Sequence, residues 1–326
     1  MTTKIIGTGS FLPENIVTNE KLTTIVETSD EWISSRTGIK ERRIVCRETT
    51  SGMASEAAKR AIEDAKIDPA EIDLIIMATF TPDRSMPCGA CDVQKEIGAA
   101  NATAFDLNAA CSGFLFALNT AHAYIAAGLC RTALVMGAET LSKVLDWTDR
   151  GTCVLFGDGA GAAVVQASDT GIISMVTGAD GTKGDVLTCD GRRVINPLTA
   201  GLDDVESGAD EAYIKMNGQE VFKFAVKKVP ESIEELLEKS GTAIEDVKYF
   251  ILHQANKRII HSVAKRLKVS EEKFPMNLDS CGNTSAASIP ILLDEMNRKG
   301  LLNPGDKIVM SGFGGGLTWG AVILEW

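Results

Sequence analysis

No apolar run in the sequence approaches the roughly 18 residues of a membrane span. The N-terminus, Met1-Thr2-Thr3-Lys4-Ile5-Ile6-Gly7, lacks the apolar core of a signal peptide. A cytoplasmic protein is therefore expected. There is no excess of base either: 33 Lys and Arg against 44 Asp and Glu leave a net charge of -11. A surface that must neutralise phosphates needs the opposite sign, so nucleic-acid binding is not expected. The eight cysteines are scattered at positions 46, 88, 91, 111, 130, 153, 189 and 281, unlike the disulfide framework of a small secreted domain. Cys88-Gly-Ala-Cys91 is the sole CxxC and has no second CxxC or nearby histidine pair, so no metal is expected there. It reads as two half-buried thiols near a turn. Histidine occurs only at 122, 253 and 261. What is present is an ordinary globular composition, 44% apolar and 24% charged, over 326 residues. That length exceeds one core and implies two domains or two closely packed halves.

One stretch organises the rest: Phe105-Asp106-Leu107-Asn108-Ala109-Ala110-Cys111-Ser112-Gly113-Phe114. An extended run from Ala102 to Leu107 leads through small residues to a cysteine and then to a helical pattern from Gly113 to Ala127. Cys111 thus falls at or just before the first turn of a helix, where N–H groups are unpaired and the dipole favours a thiolate. The small neighbours leave room for a substrate. The competing reading is a buried, inert thiol.

The chain carries an internal duplication. The segment from Ala54 to Ala78, a helix, a turn at Ile67-Asp68-Pro69 and an apolar strand, is matched by a helix from Glu231 to Lys239, Ser240-Gly241 and a strand ending Phe250-Ile251-Leu252. Phe105–Leu107 matches Met276–Leu278, Ala133–Gly137 matches Lys307–Ser311, and Gly161–Val165 matches Gly320–Leu324, all in the same order at offsets of about 160 to 175 residues. The strands are apolar throughout, as in sheets covered on both faces. The helix opening at Ser112 is apolar around much of its circumference and belongs inside, between layers. Two sheets with helices between and outside them are expected, divided into halves 1–170 and 171–326.

Three Gly-rich stretches resemble phosphate loops only superficially. Gly7-Thr8-Gly9 follows a strand but has Leu12 in place of the third glycine, and Gly157–Gly161 and Gly312–Gly316 each lead into a strand rather than a helix. Close backbone approach is the expected use, for packing in the first half and for substrate in the second. Residues 178–218, rich in Gly and Asp, suggest a flap over the site, or an ordinary surface excursion.

The second half supplies partners for the cysteine. His253 ends a dry strand, where polar groups of an α/β sheet meet a crevice; alone, a structural histidine fits equally well. His122 and His261 sit in helical stretches among polar neighbours. By pseudo-symmetry the loop Cys281-Gly282-Asn283-Thr284-Ser285 should face the Cys111 loop, placing the Asn283 amide near the sulfur; a helix N-cap is its plainer reading. The glycines of 312–316 offer a backbone N–H to a developing oxyanion, with the N–H of Cys111 as a second donor. Thiol, imidazole, amide and Gly-rich loop together describe an acyl-thioester site.

At this point the sequence resembles, over nearly its whole length, the β-ketoacyl-acyl-carrier-protein synthase III family, the initiating condensing enzymes of bacterial fatty acid synthesis in the thiolase superfamily. The resemblance rests on Asp30–Ile33 with Arg36–Ile39, Ala110–Phe114, Thr148–Gly151 with Phe156–Ala162, His253–Asn256, Gly282–Ser285, and Gly312–Gly316 with Thr318–Gly320. It implies a thiolase-like α/β fold, two pseudo-symmetric halves with mixed sheets packed as a five-layer αβαβα sandwich. It implies that Cys111 takes a primer acyl group from acyl-CoA, and that His253 and Asn283 stabilise the enolate formed from malonyl-acyl-carrier protein as CO2 leaves. The N–H groups of Cys111 and Gly315 would form the oxyanion hole. Trp32 and Arg150 would sandwich the adenine of CoA, with Arg36 and Thr37 beside its phosphate and pantetheine. Met86, reaching across a homodimer interface, would close an acyl pocket shared with Phe156 and Leu187. Lys223, Lys257, Arg258, Lys265 and Arg266 would dock the acidic carrier protein. CoA thioester and malonyl-carrier protein are substrates, and no metal or redox cofactor is implied.

Five other readings compete, the plainest a catalytically silent binding protein of the same fold, against which the intact triad stands. A thiolase would carry a second cysteine beside the C-terminal Gly-rich loop, and that neighbourhood has none; a hydroxymethylglutaryl-CoA synthase would carry an additional glutamate acid/base, and no matching one is found. A specialised ketosynthase or acyltransferase of polyketide-type metabolism would keep the same triad. A cysteine hydrolase also uses Cys, His and Asn, but it would not show the duplication.

Overall fold

The computed structural model describes residues 1–191, 198 and 212–326. The first sheet is built from β1 (Thr2–Phe11), β2 (Leu74–Ala78), β3 (Thr103–Leu107), β4 (Thr132–Glu139) and β5 (Gly159–Ser168), in the order β1-β5-β4-β2-β3. The second is built from β6 (Ile172–Ala179), β7 (Val247–Leu252), β8 (Lys307–Gly314) and β9 (Thr318–Glu325), in the order β6-β9-β8-β7. In each sheet a parallel pair (β2 with β4, β7 with β8) is followed by an antiparallel one (β4 with β5, β8 with β9), and the first sheet adds a second parallel pair, β2 with β3. β1 therefore corresponds to β6, β5 to β9, β4 to β8 and β2 to β7.

One expected match fails. The counterpart of β3 at Met276–Leu278 is no strand: Asn277 ends an irregular stretch and Leu278–Cys281 is a short helical turn. Pro275 removes a ladder donor, and the Asn277 N–H is spent on the Gln254 side chain at 3.2 Å.

Helices fill the layers. α1 (Asp30–Thr37) stands apart near the entrance to the site, and α2 (Thr50–Ala65) and α3 (Gly89–Ile97) cover the outside of the first sheet. α4 (Gly113–Ala126) and α7 (Ser288–Arg298) lie between the sheets, each touching strands of both. α5 (Gly218–Ser240) and α6 (Lys257–Leu267) cover the second sheet. The result is the expected five-layer αβαβα sandwich. Gly7 and Gly9 lie within β1, not after it; a Cβ on Gly9 would stand 2.2 Å from the Ala57 carbonyl of α2, so the bare backbone is what lets helix and strand touch.

α5 begins thirteen residues before the expected helix start at Glu231 and runs through Pro230. Proline deprives the Val226 carbonyl of its helical donor. The Arg266 guanidinium donates to that carbonyl at 3.4 Å instead. The pair Cys88 and Cys91, at the first turn of α3, is half-buried as expected, its sulfurs 3.4 Å apart. Of the expected flap, residues 192–197 and 199–211 lie outside the described residues; 178 and 179 belong to β6, and 187–189 pair with 214–216. Among the described residues no helix is long and apolar enough to cross a membrane.

Candidate active site

Cys111 occupies a single 3-10 turn, Ala110–Ser112, between β3 and α4, with Ala110 in the left-handed region at φ 46°. The turn packs against the one at Ser285–Ala287 that opens α7, so the two pseudo-equivalent loops do meet between the sheets. Gly314, at the end of β8, closes on the same turn: a Cβ there would stand 2.6 Å from the Cys111 nitrogen. Only glycine allows that approach.

Two cavities share Cys111 in their lining. One, of about 400 Å³, has Cys111, His253, Asn283 and Phe313 in its lining and reaches the exposed residues Arg36, Gln219 and Arg258. The other, of about 580 Å³, is lined by Cys111, Gly315, Phe80, Val144 and Ile214 among others. Phe156 and Leu187 border both.

His253 follows β7 and is buried. Its Nδ1 lies 2.6 Å from the Ser288 hydroxyl. That hydroxyl accepts the Gln254 N–H at 3.4 Å and keeps a hydrogen it can give to Nδ1. With Ser288 as the donor, Nδ1 is the acceptor and Nε2 carries the imidazole hydrogen. Burial pushes the imidazole pKa down to about 3, so the ring is neutral at physiological pH. Asn283 is clamped by its own backbone: its N–H donates to the Leu155 carbonyl at 2.9 Å, and its carbonyl accepts from Gly157 at 3.0 Å. Its Oδ1 accepts the Ser285 N–H at 2.9 Å, which orients Nδ2 as the remaining donor. Two neutral donors are thereby presented to the cavity that holds the thiol.

Burial drives the Cys111 thiol up to about 12, opposite to the easier ionisation expected at a helix start. The nearby Glu139 charge adds to the rise, while the Ser285 hydroxyl and the residue's own N–H pull the other way. The turn lies one step ahead of the helix, and desolvation outweighs the dipole there.

The remaining expected residues fall as follows. Trp32, Arg36 and Thr37 line the smaller cavity. Arg36 and Arg150 stack on the Trp32 ring, 4.7 and 5.4 Å from its centroid, so a purine between Trp32 and Arg150 must push the guanidinium aside. Thr37 is buried, its hydroxyl bonded to the Ile33 carbonyl and to the Ile39 N–H. Met86 projects from the surface, 84% exposed, and borders neither cavity of its own chain. Lys257, Arg258, Lys265 and Arg266 are exposed on α6 and Lys223 on α5. Lys223 pairs with Glu220 at 2.8 Å and Arg266 with Glu231 at 3.5 Å. His122 bonds Thr3 and His261 pairs with Glu271, both away from the site. Sequence reasoning missed Ser288 and Glu139. Ser288 is the first residue of α7 and carried no signal; Glu139 ends a dry strand, the same sign that singled out His253.

Comparison with known proteins fits this geometry. Residues 105–181 match the family described as 3-oxoacyl-[acyl-carrier-protein (ACP)] synthase III, and residues 237–326 match its C-terminal part. The chain is 58% identical over 324 residues to the β-ketoacyl-[acyl-carrier-protein] synthase III of Clostridium acetobutylicum, covering 99% of this chain and 98% of that one. This chain belongs to the β-ketoacyl-[acyl-carrier-protein] synthase III family. Among solved structures, 3-oxoacyl-[acyl-carrier-protein] synthase III from Aquifex aeolicus superposes with a TM-score of 0.92 at 48% identity, covering 99% of this chain and 100% of that one. The priming β-ketosynthase of the R1128 polyketide pathway also superposes at 0.92, with 38% identity, covering 99% of this chain and 96% of that one. The synthase fold is thus shared across both kinds of metabolism.

Proposed function

We propose that this synthase joins a short or branched primer acyl-CoA to malonyl-acyl-carrier protein by decarboxylative Claisen condensation, giving 3-oxoacyl-acyl-carrier protein, CoA and CO2 and so initiating fatty acid synthesis. The observation that carries the reading is the convergence of the Cys111 thiol, the His253 imidazole and the Asn283 amide on one cavity. Cys111 attacks the acyl-CoA carbonyl, and the N–H groups of Cys111 and Gly315 receive the oxyanion. One such donor is worth about 100- to 1000-fold in rate. CoA departs, leaving the acyl chain as a thioester with Phe156 and Leu187 at its side. The malonyl thioester then places its carbonyl oxygen between the His253 Nε2–H and Asn283 Nδ2–H, and these stabilise the enolate as CO2 leaves. Decarboxylation itself generates the carbanion, so the chemistry calls for no metal or redox cofactor.

Trp32, Arg36, Thr37 and Arg150 are assigned to CoA, and the basic face of α6 with Lys223 to the carrier. The half 1–170 supplies the nucleophile and the half 171–326 supplies His253 and Asn283. A homodimer in which Met86 of each chain bounds the other's acyl pocket is part of the same proposal. A starter synthase of polyketide-type metabolism is the second reading, favoured by the likeness to the R1128 enzyme.

Acyl transfer from radiolabelled acyl-CoA tests the reading. Cys111→Ser should take up no label, and His253→Ala should acylate but release no CO2 from malonyl-carrier protein. Label retained by the serine variant would remove the nucleophile. A panel of primers from two carbons upward, with malonyl-carrier protein against malonyl-CoA, separates the two readings; product from malonyl-CoA alone would favour the second.

A further inference from the structure

Glu139, the last residue of β4, has no part in the mechanism above, yet it is fully buried and lies close enough to Cys111 to perturb it. Its Oε2 accepts from Thr79 Oγ1 at 3.1 Å, from Phe80 N at 3.3 Å, from Thr81 N at 3.2 Å and from Thr81 Oγ1. Its Oε1 accepts from the Ser285 hydroxyl alone, at 3.2 Å. Four donors crowd one oxygen, so a proton added to the carboxylate has its place on the other, facing Ser285. The turn that carries Ser285 packs against the turn that carries Cys111, and the serine hydroxyl acts on the thiol. Ser285 is itself fixed, at φ 49° and with its N–H on Asn283.

We infer that Glu139 is the proton acceptor for Cys111, acting through Ser285: as the sulfur attacks, its hydrogen passes to Ser285 Oγ and the serine hydrogen passes to Glu139 Oε1. The inference rests on the assignment of Cys111 as nucleophile. The atoms balance over the cycle. Acylation leaves Glu139 neutral and releases CoA thiolate, which takes a proton from solvent. Condensation expels the Cys111 thiolate, which recovers its hydrogen from Glu139 by the reverse path.

His253 is the obvious rival acceptor, and the structure disfavours it. Its Nδ1 is held by Ser288, and burial makes its imidazole a far weaker base than the carboxylate, which burial raises to about 7. The charged and titratable groups around Glu139 are Lys143, Cys111 and Cys189. Lys143 is anchored on the Thr81 and Pro82 carbonyls at 2.6 and 2.8 Å and holds part of the balance toward the carboxylate.

The experiment is the pH dependence of Cys111 alkylation by iodoacetamide, followed on its peptide by mass spectrometry, together with acylation by labelled acyl-CoA, in the full chain. Wild type should show an inflection near neutrality. Glu139→Gln should lose it and react at least tenfold more slowly at pH 7, with recovery toward alkaline pH. Ser285→Ala, which leaves the carboxylate in place, should behave alike. A carboxylate acting only by its charge predicts the opposite sign, because its removal lowers the thiol pKa. Glu139→Gln as fast as wild type at pH 7, or an inflection surviving in Ser285→Ala, would overturn the inference; so would equal slowing at every pH. Acyl label persisting in Cys111→Ser would instead overturn the nucleophile assignment.

Discussion

Ser288→Ala tests how the imidazole is set. The Ser288 hydroxyl stands 2.6 Å from His253 Nδ1 and is the contact that leaves Nε2 as the donor. Both residues are buried, so the substitution leaves Nδ1 without its partner and lets the hydrogen shift between ring nitrogens. Losing a buried hydrogen bond costs about 1 to 3 kcal/mol. If that whole cost falls on the enolate, the decarboxylation rate drops by about 5- to 150-fold, at RT near 0.59 kcal/mol. Acylation uses the donors at Cys111 and Gly315 and should change little. The assay is a pair of single-turnover measurements, CO2 released from labelled malonyl-carrier protein and acyl label taken up by Cys111. Unchanged CO2 release would refute the tautomer argument, and an equal fall in both steps would show a general loss of packing in its place.

Two further predictions concern stability and docking. The His253 pKa, lowered to about 3 from an ordinary 6.5, means the unfolded state binds the extra proton as pH falls below 6.5; stability is full above that value and declines beneath it. Glu139, raised to about 7 from 4.5, gives the opposite slope, its stability full below 4.5 and lost as pH rises to 7. Between 4.5 and 6.5 the two offset, each at about 1.4 kcal/mol per pH unit. Urea unfolding of Glu139→Gln should therefore become steeper in that window than wild type, and a flat profile would refute the assignment of slopes. On the surface, Lys265→Glu, which lines neither cavity, should raise KM for malonyl-carrier protein and weaken its salt dependence while sparing CO2 release from malonyl-CoA; an unchanged KM would place docking elsewhere.

How much was legible beforehand follows from which forces are local. Cys111, His253 and Asn283 were readable because each stands where a regular element ends beside small residues, and because the duplication said which loops oppose each other. Apolar strands such as Leu74–Ala78 announced a sheet covered on both faces, and every residue of that strand is buried. The failed strand at 276–278 shows the limit of symmetry: one proline and one side-chain acceptor redirect the backbone. The helix start at Gly218 was hidden by Pro230, because the arginine that relieves it lies 36 residues further on. The thiol's environment was illegible for the same reason. Burial, Ser285 and Glu139 come from three distant segments, and only the fold assembles their sum.

Placing one sulfur in the lining of two chambers has a kinetic corollary. On the proposed assignment the acyl tail lies in the larger chamber, and both thioester donors come to the same thiol by way of the cavity that Trp32 and Arg36 line. They take turns, so turnover is ping-pong, and each donor in excess should inhibit by occupying the form of the enzyme meant for the other.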